Sequence, residues 1–125
     1  MSAAHWCVLI AILMPYPLAV LAKAGGHYSN HDPRNAEVWA EGFRKRAYGA
    51  QMNAFEALAP FAAAVIIAWQ LGGRREWLDG LATAWVLIRL GYVAAYLGDK
   101  PSLRTGLWTL AFFVVIGIFL LGAFA

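Results

Sequence analysis

Four runs of about twenty apolar residues, separated by short segments holding most of the charge, leave this chain little choice of architecture. In hydrocarbon every backbone N–H and C=O must find its partner within the chain, so runs of that length are helices. Met1 to Ala22 contains no Asp, Glu, Lys or Arg. It also lacks a basic leading region and a convincing cleavage site, so it reads as a retained span and not a signal peptide. Pro15 and Pro17 are expected to kink it or end it early. The second run follows Arg46 and ends near Gly72 and Gly73, the third runs from Gly80 to Gly98 with Arg89 inside, and the fourth, from Gly106, is again uncharged. The expected fold is all-α: one integral membrane four-helix bundle over residues 1–125, with spans at 3–22, 47–71, 80–98 and 105–125. Four spans use roughly 80 residues, which leaves no room for a separate soluble domain.

Composition agrees. Hydrophobic residues make up 62% of the 125 and charged residues 14%, against about 45–50% and about 25% in soluble domains. One cysteine, Cys7, excludes an internal disulfide framework. The net charge of +3 would raise nucleic-acid binding in a soluble protein. Here most basic residues lie in short loops, and no nucleic-acid partner is expected. Lys23, Arg34, Arg44, Lys45, Arg46, Lys100 and Arg104 fall on one side of the bundle, while Arg74 and Arg75 fall on the other. By the positive-inside rule the two basic loops are cytoplasmic and both termini outside. Trp6, Trp69 and Trp77 would mark the outer interface, Trp39 and Trp108 the inner one. The run Arg44–Arg46 reads as a membrane-surface anchor.

Asp32-Pro33 has the form of a helix start. A helix from there to Leu71 would be about 58 Å long, nearly twice the hydrocarbon thickness. Either a cytoplasmic extension or a break near Gly42 follows.

The informative residues are the polar ones at costly depth. A charge near the bilayer centre costs roughly 2.5–3.5 kcal/mol on insertion scales. Arg46, Asn53, Glu56 and Pro60 share one helical stripe, and so do Arg89, Tyr92, Tyr96 and Asp99. Two such stripes on neighbouring helices can face each other. Pro60 also deprives the Glu56 carbonyl of its helical donor, which favours a cleft beside that carboxylate. An Arg89–Glu56 pair would serve equally well as glue between helices or as part of a binding site.

The block Arg46-Ala-Tyr-Gly-Ala-Gln-Met-Asn53-Ala-Phe-Glu56-Ala-Leu-Ala-Pro60 resembles the MAPEG family, the membrane-associated proteins of eicosanoid and glutathione metabolism. A second block, Arg89-Leu-Gly-Tyr92-Val-Ala-Ala-Tyr96-Leu-Gly-Asp99-Lys-Pro101-Ser-Leu-Arg104-Thr105, resembles the end of that family's third span and the start of its fourth. Asn30 to Arg34 resembles a loop of bacterial members. The resemblance implies a homotrimer in the bacterial inner membrane, with sites between adjacent subunits that open toward the cytoplasm. It implies glutathione as cosubstrate and an apolar small-molecule substrate arriving from the membrane lipid. Asn53 and Glu56 would hold the peptide part of glutathione, and Arg46, Arg89, Tyr92 and Tyr96 would add polar contacts. Arg104 would stabilise the thiolate as the catalytic residue, with Thr105 near the thiol. Tyr92 stands at a position that varies between tyrosine and histidine in the family. Many glutathione-using members carry an arginine seven residues before the glutamate, where this chain has Gly49.

The function expected from this resemblance is a glutathione transferase or peroxidase acting on an apolar electrophile or lipid hydroperoxide. The alternative is a non-enzymatic trimer, lipid-binding or structural, which the missing cation at Gly49 favours. An ion pathway along Glu56 and Arg89 is a third reading. No metal site is expected, because His27, His31 and Asp32 lack a further spaced ligand.

Overall fold

The computed structural model describes residues 1–24, 29–35 and 41–125. Among the described residues, five helices follow one another: α1 (Ala3–Leu13), α2 (Pro15–Lys23), α3 (Gly42–Gln70), α4 (Arg75–Leu97) and α5 (Pro101–Ala123). Together α1 and α2 form one membrane-length segment, Ala3–Lys23, and with α3, α4 and α5 they make four segments long and apolar enough to span a bilayer. The division between α1 and α2 falls at Pro15, which takes the first position of the new helix, where its missing N–H costs nothing.

Asp32-Pro33 does not start a helix. Asp32 N–H donates to the Ser29 carbonyl at 3.2 Å and Asn35 N–H to the Asp32 carbonyl at 3.3 Å, so the segment is a pair of turns. The helix begins instead at Gly42, whose φ of 66° lies in the left-handed region that glycine enters without steric cost. Of the two expectations, the break near Gly42 is the one observed. His27 and Trp39 lie outside the described residues.

Two helix ends set the turns of the bundle. At the end of α3, Gly72 has φ 80°, and Gly73 N–H donates to the Ala68 carbonyl at 2.8 Å. At the end of α4, Asp99 has φ 57°, Asp99 N–H donates to the Tyr96 carbonyl at 3.2 Å, and Lys100 N–H donates to the Ala95 carbonyl at 2.9 Å. Both are Schellman closures, which satisfy carbonyls the helix leaves orphaned. Asp99 therefore leaves the helix and does not continue the Arg89 stripe. Pro101 opens α5 immediately afterwards. The connection is short enough to bring the first turn of α5 against the last turns of α4.

The core is built mainly of small residues and a few large ones. Ala4, Ala11, Ala64, Ala68, Ala82 and Ala111 let backbones approach, while Phe61, Val65, Leu78, Trp85 and Ile118 fill the space between them. Phe61 and Trp85 stack with ring centroids 3.8 Å apart and planes within 4°. The backbones of α3 and α5 approach closely: a Cβ on Gly122 would lie 3.0 Å from Ala68 Cα. Away from α4's C-terminus, Asp79 Oδ1 accepts the Ala4 N–H at 2.9 Å, so α4 caps the first turn of α1. Leu18, Ala50 and Ala54 form a second buried cluster against Val93, Tyr96 and Leu97. That cluster is the floor on which the candidate site rests.

Candidate functional site

The site is assembled where α3, the end of α4 and the start of α5 meet. Its deepest member is Arg89, only 1% exposed. A guanidinium so placed needs partners, and it has them on two sides. Nη2 donates to Asn53 Oδ1 at 2.7 Å, a short charge-assisted bond. The guanidinium carbon lies 4.1 Å from the centroid of the Tyr92 ring and 5.9 Å from that of Trp85, within cation–π range of both. Arg89 Nε remains buried without a hydrogen-bond partner. The polar partner of Arg89 on α3 is thus Asn53 and not Glu56. The amide is one turn nearer the Arg46 end of the stripe, and Glu56 is exposed on the chain surface.

From Arg89 a line of rings leads to the end of the bundle. Tyr92 and Tyr96 meet edge to face at 5.8 Å. The Arg104 guanidinium carbon lies 4.7 Å from the centroid of the Tyr96 ring. Arg46, one turn into α3, donates from Nε to the Leu97 carbonyl at 3.1 Å. This satisfies an orphan acceptor at the α4 terminus and places a cation where the helix dipole is negative. Asn53, Arg89, Tyr92, Tyr96 and Arg104 are therefore joined in one contiguous set spanning three helices, with Arg46 fixed to the α4 terminus at its end. Thr105 is exposed beside Arg104, and its backbone carbonyl accepts the Thr109 hydroxyl at 2.9 Å. No contact joins the Thr105 side chain to the others.

Asn53, Glu56 and Arg89 also line a cavity of about 240 Å³. Its remaining walls are Ala57 and Pro60 of α3, Trp85 of α4, and Trp108, Ala111, Phe112 and Val115 of α5. Trp108 and Phe112 lie parallel, 5.5 Å apart with planes within 5°. Ligand clefts commonly start near 300 Å³ and combine apolar walls with a few polar groups, a pattern this cavity follows on a small scale. Glu56 and Pro60 do stand together at its rim, as the lost helical donor suggests.

The aromatic walls were not read from the sequence, although a signal exists for part of them. Trp85 precedes Arg89 by four residues and extends the same stripe. Arg104, Trp108, Ala111, Phe112 and Val115 share one face of α5, but that helix is apolar all round and offers no contrast to pick a face. Gly49 is the other addition. A Cβ there would overlap the Tyr96 hydroxyl oxygen and come within 2.7 Å of Tyr96 Cζ, so the phenol lies against bare helix backbone.

Compared with known proteins, the chain matches the profile of the MAPEG family over residues 3–124. No curated protein and no solved structure matched it.

Proposed function

The chain belongs to the MAPEG family, and from that premise we propose that it binds glutathione at this site and ionises its thiol for attack on an apolar electrophile or lipid hydroperoxide. The observation that carries the reading is the Arg104 guanidinium held over Tyr96, at the head of a connected polar line and beside an aromatic cavity. Glutathione carries two carboxylates, an ammonium and a thiol. Arg46 and Arg104 offer cations to the carboxylates and sulfur, and Glu56 and Asn53 offer oxygens to the ammonium. Tyr92, Tyr96 and Arg89 complete the polar wall, with Thr105 beside Arg104.

The electrostatics suit the task. A thiol ionises near pKa 8.5, and a shift of one unit corresponds to about 1.36 kcal/mol. A guanidinium about 4 Å from the sulfur gives about 4 kcal/mol at an effective dielectric near 20. That is enough to make the thiolate, which is the nucleophile, dominant at neutral pH. The thiolate then forms the S–C bond as the electrophile's leaving group departs with its electron pair. With a hydroperoxide it takes the distal oxygen, the O–O bond breaks, and the alkoxide leaves as the alcohol after protonation. A second glutathione resolves the resulting sulfenic acid to disulfide and water.

The working unit in this proposal is a homotrimer in the bacterial inner membrane, with the basic loops cytoplasmic and the termini outside. Glu56, Trp108 and Phe112 are exposed on one chain and would be covered by a neighbouring subunit or by lipid. The apolar substrate enters from the lipid, to which α5 presents Phe113, Leu110 and Phe119. A second reading, a non-enzymatic lipid-binding trimer, is favoured by the cavity itself, most of whose lining is aliphatic or aromatic.

The deciding experiment is thiolate absorbance of the purified protein titrated with glutathione. A saturable thiolate signal supports the enzyme. No binding at millimolar glutathione, together with retention of a co-purified lipid, supports the second reading.

A further inference from the structure

We infer that Gly49 is a positioning residue for Arg104, acting through Tyr96. The inference rests on the glutathione reading only for what the cation does, not for where it stands. Three contacts carry it. The Tyr96 phenol occupies the space that any side chain at 49 would need: a Cβ there would overlap the hydroxyl oxygen and come within 2.7 Å of Cζ and 3.1 Å of Cε1. The face of Tyr96 supports the Arg104 guanidinium at 4.7 Å. The backbone beneath is held at this height, because Arg46 bonds the Leu97 carbonyl at 3.1 Å and Ala47 and Ala50 are fully buried.

A methyl group at 49 and the phenol cannot share that space, so the ring must shift or turn. The guanidinium stacked on the ring face then loses its platform. An absent side chain on α3 thus sets the position of a charge on α5, two helices along the chain. This also gives the absence of a basic side chain at 49 a structural meaning. The volume is used by the phenol, and Arg104 presents its cation stacked on that phenol.

The test compares wild type, Gly49→Ala, Tyr96→Ala and the double variant Gly49→Ala/Tyr96→Phe, each as the full chain in detergent micelles. The readout is the rate at which phenylglyoxal modifies Arg104, followed by peptide mass spectrometry, with exposed Arg74 at the opposite end as internal reference. Gly49→Ala and Tyr96→Ala should each raise the Arg104 rate several-fold while leaving Arg74 unchanged. The double variant should return part of the way, because the overlapping oxygen is gone. Gly→Ala inside a helix ordinarily adds stability, so a general loosening of the fold is not the default explanation. It would also show as a changed Arg74 rate. An Arg104 rate equal to wild type in either Gly49→Ala or Tyr96→Ala overturns the inference. A second measurement separates it from the function: glutathione thiolate absorbance should fall several-fold in Gly49→Ala. If the Arg104 rate responds while wild type forms no thiolate, the positioning stands and the glutathione assignment falls.

Discussion

Arg89 Nη2 and Asn53 Oδ1, 2.7 Å apart, join α4 to α3 through a partly buried charge-assisted hydrogen bond. The pair lies about 12 Å along α4 from its last residue, deep enough that water is a poor substitute for either partner. Arg89 Nε is already without an acceptor, so the guanidinium has little to spare.

Removing one member is expected to cost more than removing both. Asn53→Leu strands the charge and should destabilise by about 1.5–3 kcal/mol, the range for hydrogen bonds to charged groups. Asn53→Leu combined with Arg89→Met removes the charge along with its acceptor and should lose less. Thermal unfolding in detergent ranks the variants. A double variant no more stable than Asn53→Leu would show that the bond is not what holds Arg89.

Arg104 is expected to act by charge and not by packing, since it is only partly buried. Arg104→Ala should abolish the glutathione thiolate signal while leaving measurable affinity, which the α3 contacts supply. Arg104→Lys keeps a cation but loses the planar stacking on Tyr96, so it should retain part of the signal. Absorbance titrations check both, and an undiminished thiolate in Arg104→Ala would remove Arg104 from the chemistry.

The two tryptophans of the cavity should separate stability from substrate binding. Trp85 is 2% exposed and stacks on Phe61, so Trp85→Ala opens a void in the core and should cost about 3–5 kcal/mol. Trp108 is 44% exposed and packs on Phe112 at the cavity wall. Trp108→Ala should leave the melting temperature within a few degrees and raise KM for an aromatic electrophile several-fold. Equal effects of the two substitutions on melting would contradict this division.

Two glycines of α5 make a paired test of helix packing. A Cβ at Gly122 would press to 3.0 Å on Ala68 Cα and 3.4 Å on the Ile67 carbonyl oxygen, both backbone atoms. Gly122→Ala should therefore force α3 and α5 apart and cost about 1–3 kcal/mol. At Gly117 the nearest atom is the Leu81 Cδ1 methyl at 3.9 Å. Gly117→Ala should be neutral or gain the few tenths to one kcal/mol of helix propensity. Melting temperatures of the two variants, measured side by side, decide it.

Much of the site could be read before any fold was known. Asn53, Arg89, Tyr92 and Tyr96 stand out because polar groups inside apolar runs are costly, whereas Arg104, read as a loop residue, entered only through the family resemblance; the structure places the five in contact as one line. Their pairing was less legible. Asn53 and Glu56 share a stripe three residues apart, and periodicity alone does not say which of them Arg89 meets. Asp99 was assigned to the α4 stripe by spacing, yet the Schellman closure takes it out of the helix. The α5 wall was hidden for the opposite reason, since a helix apolar on every side gives spacing nothing to contrast. Trp85 lay on the Arg89 stripe and could have been read from its spacing, while the Gly49 hollow becomes visible only once its neighbours are in place.

The sequence by itself determined the class of fold: four helical segments of membrane length, with a handful of polar residues set at expensive depth. Backbone hydrogen bonding in hydrocarbon leaves no other solution for such runs, so local chemistry suffices. Only the tertiary structure decided which residues meet. A 3.6-residue period gives the direction of a side chain around its own axis, but not the rotation or height of the neighbouring helix. Those follow from how closely small residues such as Ala68, Gly122 and Gly49 let the backbones and rings approach. That packing gives Arg89 to Asn53, lays Tyr96 on Gly49, and sets Arg104 above it.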